Sequence, residues 1–72
     1  MKNFYDLYYN DKYIGMIVAM GYKIDKIEKD NTYVISFYEK YSCIAIFNSI
    51  ELPVVEDVES ILTDQVKKVF LY

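Results

Sequence analysis

Pro53–Tyr72 reads PVVEDVESILTDQVKKVFLY, and the period of this stretch decides how the chain closes its sheet. Val55, Val58, Ile61, Leu62, Val66, Val69 and Phe70 recur at steps of three and four, which is one stripe of an amphipathic helix. Pro53 suits a first helical turn. Glu56, Asp57 and Glu59 lie near the positive end of the helix dipole, and Lys67 and Lys68 near the negative end. Asp64 and Lys68 form a correctly oriented i,i+4 pair. β-branched residues lower the helix propensity, so Val66 to Tyr72 has a last strand as its alternative. The adjacent lysines spoil a strict alternation, and the expectation is a carboxy-terminal helix.

Upstream of Pro53 the period is two. Tyr5, Leu7 and Tyr9 alternate with Phe4, Asp6 and Tyr8, as a strand requires. Asn10 and Asp11 then supply the positive backbone dihedrals of a tight hairpin, and a second strand is expected from Lys12 to Ala19. Tyr22 to Glu28 is read as a further strand, followed by a turn at Lys29, Asp30 and Asn31. Tyr33, Ile35 and Phe37 then alternate with Val34, Ser36 and Tyr38. Ser42 to Phe47 is a continuous apolar run, expected to be a central strand covered on both faces. No repeat or linker is evident. The sequence therefore predicts a single α+β domain over residues 1–72, a small antiparallel β-meander of about four or five strands packed by one carboxy-terminal amphipathic helix.

Composition excludes more than it assigns. A 72-residue chain buries only about 60% of the surface its unfolded form exposes, so domains of this size are often stapled or paired. With one cysteine, no internal disulfide forms. Cys43, next to Ile44, Ala45, Ile46 and Phe47, is expected to be a small buried hydrophobe in a reducing compartment, and the chain to be cytosolic. No charge-free run is long enough for a membrane helix. Asp6, Asn10 and Asp11 interrupt the apolar stretch that a secretion signal would need.

All eight basic residues are lysine, and the net charge is −3. Arginine is the usual bidentate donor to phosphate and guanine, so direct nucleic-acid binding is not expected. There is no histidine, which removes Ser-His-Asp and Cys-His pairs and the ordinary zinc sites. The two glycines form no phosphate-cradling loop, and the acids do not match a calcium loop. The expectation is a protein with no catalytic residues, no metal and no cofactor.

Two features remain. The first is nine tyrosines, a residue that supplies large contact area with few rotatable bonds. One helix covers one sheet face. If Ile14, Met16, Val18, Ile35 and Phe37 meet it, then Phe4, Tyr8, Tyr13, Ile17, Val34 and Tyr38 line the other. Tyr8, Tyr13, Ile17 and Tyr38 are accordingly expected at a homodimer interface. The second feature is charge asymmetry. Residues 1–41 are neutral, and the whole −3 lies in residues 42–72. Glu51, Glu56, Asp57, Glu59 and Asp64 are the expected partner-binding residues, since spaced carboxylates beside tyrosine hydroxyls imitate a phosphate track. The alternative is that these acids serve only helix stability and solvation.

In size, charge, Lys/Ile/Asn/Tyr bias, tyrosine-rich hairpin Tyr5 to Ile17 and acidic stretch Glu51 to Asp64, the chain resembles a broad group. These are the small acidic proteins with which viruses of low-GC bacteria disable host DNA-processing or defence machinery. Gln65, Val66, Lys67, Lys68, Val69 and Phe70 resemble, at a different spacing, the glutamine and hydrophobic anchor of sliding-clamp-binding peptides. The resemblance implies a non-enzymatic inhibitor, acting as a homodimer in the host cytoplasm. Its target would be a basic DNA-binding surface, that of the replication sliding clamp first, or a nuclease DNA site as for an anti-CRISPR protein. The second expectation is a small self-associating structural or assembly protein.

Overall fold

The computed structural model describes residues 2–58 and 66–72. Among these the chain is all β, with seven strands: β1 (Asn3–Tyr9), β2 (Lys12–Ala19), β3 (Gly21–Ile27), β4 (Thr32–Glu39), β5 (Ser42–Ser49), β6 (Val54–Val58) and β7 (Val66–Leu71). They form a four-stranded sheet in the order β2-β1-β7-β6 and a three-stranded sheet in the order β3-β4-β5. The expected carboxy-terminal helix is replaced by β6 and β7, and the α+β meander by two sheets. Alternation accounts for the difference. In β7, Lys67, Val69 and Leu71 share one face and Val66, Lys68 and Phe70 the other. The valines at positions 54, 55, 58, 66 and 69 are stiff β-formers that pack well on a pleated surface. The helical stripe also drew on Ile61 and Leu62, which lie outside the described residues.

Asn10 and Asp11 turn the first hairpin with φ of 49° and 67°, the left-handed pair that matches the twist of the flanking strands. Tyr9 and Lys12 close the two-residue loop. The pairing slips once, between Leu7 and Tyr8: Leu7 faces Gly15 and Tyr8 faces Tyr13, so Ile14 is the extra residue of a bulge. The slip inverts the parity of β2. Tyr13 lies on the outer face before it, and Met16 and Val18 lie there after it.

The same hairpin occurs twice. Every pair of β1 with β2 recurs between β4 and β5 with its numbers raised by 30, the bulge included: Asn3↔Ala19 becomes Tyr33↔Ser49, and Tyr8↔Tyr13 becomes Tyr38↔Cys43. Only Tyr8/Tyr38 and Ile14/Ile44 are identical between the two copies, and both lie at the bulge. The duplication therefore escapes a reading by residue identity. After each hairpin the chain changes sheet. At the first crossing Met20 N–H donates to Tyr38 O at 2.8 Å, and at the second Ile50 N–H donates to Tyr72 O at 2.6 Å. β3 thereby joins β4, while β6 and β7 return to β1. β7 runs parallel to β1 because β6 has already reversed the chain.

The sheets pack face to face. Tyr5 and Leu7 of β1, Ala19 of β2, Ile35 and Phe37 of β4, and Val69 and Leu71 of β7 are buried between them, with Ile17, Ile24, Ala45, Phe47 and Val55 packed around this set. Tyr5 meets Phe37 edge-on at 5.0 Å between ring centroids and Tyr22 at 5.9 Å. Ser49 Oγ donates to Tyr72 O at 3.1 Å and accepts from Tyr72 N–H at 2.9 Å, so the end of β5 is fastened to the end of the chain. β5 itself is an edge strand, with Ile44 and Ile46 exposed, and not the doubly covered central strand its apolar run suggested. Cys43 is exposed instead of buried.

Phe37 is fully buried whereas Met16 is more than half exposed. Phe37→Ala should cost about 3–5 kcal/mol in urea unfolding, a large share of the roughly 4–11 kcal/mol expected for a chain of this length. Met16→Ala should cost less than about 1 kcal/mol.

Candidate interaction face

Cross-strand register arranges the outer side of the four-stranded sheet in three rows. Tyr13, Tyr8, Phe70 and Val54 form one, reading across β2, β1, β7 and β6. Met16, Asp6, Lys68 and Glu56 form the next, and Val18, Phe4, Val66 and Val58 the third. Two apolar rows thus flank a charged one. Tyr8 is held from both sides, stacked on Phe70 at 5.1 Å and 22° and edge-on to Tyr13 at 5.6 Å. The Lys68 ammonium lies 5.8 Å from the Tyr8 ring centroid, a distance at which a cation is attracted to the ring face.

The face is open. Met16 is 54% exposed, Tyr13 53% and Val54 42%, while Phe4, Tyr8, Phe70 and Val66 are half-buried among one another. The sheet thus leaves two apolar rows open to solvent on the side away from the core, separated by the charged row. The outer side of the three-stranded sheet differs. Ser36 lies at its centre, and Lys23 and Asp25 pair on β3 at 3.6 Å.

The expected interface residues are therefore divided. Tyr8 and Tyr13 lie together on the outer face of the four-stranded sheet. Tyr38 lies on the outer side of the other sheet, and Ile17 packs against the core. The bulge at Ile14 moved Ile17 inward and Met16 and Val18 outward. Phe70, Lys68 and Val54 belong to the face but were missed, because a helical reading of residues 53–72 hides their alternation. In the clamp-peptide resemblance, Val69 is buried core and Gln65 lies outside the described residues.

The expected acidic surface is also divided. Glu51 is exposed at the second crossing, Glu56 lies on the outer face of β6, and Asp57 points to the opposite side. Glu59 and Asp64 lie outside the described residues. Asp57 accepts a hydrogen bond from Lys67 Nζ, so its charge is offset within the chain. Among the described residues the ion pairs are this one, Lys23 with Asp25, and Lys2 with Glu39 at 2.5 Å. The last lies in an open depression of about 520 Å³ lined by Lys2, Met20, Glu39, Lys40, Tyr41 and Ser42. No helix among the described residues is long and apolar enough to cross a membrane. Comparison with known protein families, curated proteins and solved structures finds no match to the chain.

The hydrogen bond to Asp57 holds Lys67 above its ordinary value of 10.5, against the desolvation that lowers it. A raised lysine contributes stability that is complete below 10.5 and is lost as the pH climbs through the folded-state value. Asp57 is largely exposed, so the contribution is below about 1 kcal/mol. The difference in unfolding free energy between the parent chain and Lys67→Met should hold constant through neutral and mildly alkaline pH and shrink above 10.5. A difference that grew with alkalinity would contradict this assignment.

Proposed function

We propose that the protein is a non-enzymatic protein-binding module that works through the outer face of its four-stranded sheet, in the manner of a small self-associating or assembly protein. One observation carries the reading: two apolar rows, anchored by the Tyr13–Tyr8–Phe70 cluster, lie open on a sheet whose other side already supplies the core. Rigid aromatic anchors are the residues that dominate binding energy at protein interfaces. An exposed free thiol at Cys43 fits a reducing, cytoplasmic setting.

The inhibitor reading, with a sliding clamp or CRISPR nuclease as target, takes second place. It asks for a continuous acidic track, whereas Glu56 and Asp57 lie on opposite sides of β6 and Asp57 is bound to Lys67. Salt separates the two readings. An apolar face holds or tightens its partner at high ionic strength, and an electrostatic mimic releases it.

The test is capture from a bacterial lysate, washed at low and high salt, with three folded baits: the parent chain, Met16→Lys/Val18→Lys, and Ile46→Lys on the other sheet. Proteins held at high salt by the parent and by Ile46→Lys, and lost by the double variant, are the expected result. Capture that survives the double variant and fails with Ile46→Lys would place the working surface elsewhere.

A further inference from the structure

The charged row carries information about what covers this face. Across β2, β1, β7 and β6 it reads Met16, Asp6, Lys68, Glu56, so the centre of the sheet, between β1 and β7, has a negative residue on one side and a positive one on the other. We propose that the occupant is a second copy of this chain, related by a two-fold axis that runs along the strands between β1 and β7 and sets each Asp6 over the Lys68 of its partner. The inference rests on the interaction-face reading and adds the identity and register of the occupant.

Two identical sheets that stack with their strands aligned have two choices of in-plane axis. An axis across the strands, along the charged row, places Asp6 over Asp6, Lys68 over Lys68 and Glu56 over Glu56, a like-charge arrangement. The same axis moved to another row puts these charges against apolar side chains with no partner, which is also costly. An axis along the strands exchanges β1 with β7 and β2 with β6 and keeps every residue at its own level. Asp6 then meets Lys68 twice, once in each direction, as an isologous interface requires.

The other rows are satisfied by the same operation. Tyr8 covers Phe70 and Phe4 covers Val66 at the centre, while Tyr13 meets Val54 and Val18 meets Val58 nearer the rim. Glu56 falls beside Met16 on the two edge strands, where its carboxylate keeps its water. The sheet spacing of about 10 Å in such stacks is bridged by a lysine and an aspartate side chain extended toward each other. A 72-residue chain with one small core gains stability by pairing in this way.

Two charge reversals test the register. Asp6→Lys gives a chain with lysine at both positions, and Lys68→Asp a chain with aspartate at both. Each should dissociate at concentrations where the parent chain is a dimer in analytical ultracentrifugation, with affinity weakened about tenfold or more. Mixed in equal amounts, the two should form a heterodimer, because both central contacts are then between opposite charges. Pairing within one chain does not produce that rescue.

A mixture that stays monomeric while the parent dimerises overturns the axis. A parent chain that is monomeric at millimolar concentration overturns the second copy itself. Capture of another protein that is lost with Met16→Lys/Val18→Lys would in that case leave the interaction face standing, so the two failures are distinguishable. If a reversal prevents folding, the parent chain supplies the test. In a half-labelled sample, isotope-filtered contacts from the Phe4 ring to Val66 methyls of the other copy support the axis, and a dimer lacking them contradicts it.

Discussion

Tyr5 and Phe37 touch across the two sheets, and the arrangement of the molecule follows from keeping that contact dry. Each ring comes from a strand flanked on both sides, β1 between β2 and β7, and β4 between β3 and β5. Each sheet has an apolar face that must be buried against another layer. The inner faces of both therefore meet, and the residues that fill the space between them come chiefly from β1, β4 and β7. Their outward neighbours are left to solvent or to a partner.

The duplicated hairpin explains how so short a chain builds two layers. Each copy carries the same two-residue turn length and the same bulge, and a bulge sharpens strand twist and re-aims the residues beyond it. After each copy the chain leaves its own sheet and pairs with the other, so the layers are tied by main-chain hydrogen bonds at both crossings. Exchange of strands between layers resists sliding of one sheet over the other. Beyond the first crossing one strand, β3, joins the other sheet, and beyond the second two strands, β6 and β7, do so. That addition makes one sheet four strands wide and gives it the broader outer face.

The first hairpin and β4 were legible in the sequence because alternation and the Asn10–Asp11 turn both point to the same structure. Residues 53–72 were not, because Val55, Val58, Val66 and Val69 satisfy a period of 3.6 and are also the residue type that strands prefer. Two short strands there present apolar side chains to both sides, which blurs a period of two. The bulge at Ile14 is a second source of error. A one-residue slip exchanges the faces of every later side chain in the strand, so strict alternation from Tyr13 puts Ile17 outward and Met16 and Val18 inward, the reverse of their positions in the sheet. Tyr8 and Tyr13 share a face because Tyr13 precedes the bulge along β2. A helix would gather the acidic residues on one surface, and a strand sends neighbours such as Glu56 and Asp57 to opposite sides.

On the function proposed above, the four-stranded sheet gives one face to the core and the other to a partner. Dilution of the isotope-labelled protein, followed by two-dimensional NMR, reads this division of faces residue by residue. Concentration-dependent shifts that cluster on β1 and β7 and extend to Met16 and Val54, with β3, β4 and β5 unchanged, are the expected result. Shifts confined to the three-stranded sheet, or a spectrum invariant up to millimolar concentration together with no partner-induced change on β1 and β7, would contradict it.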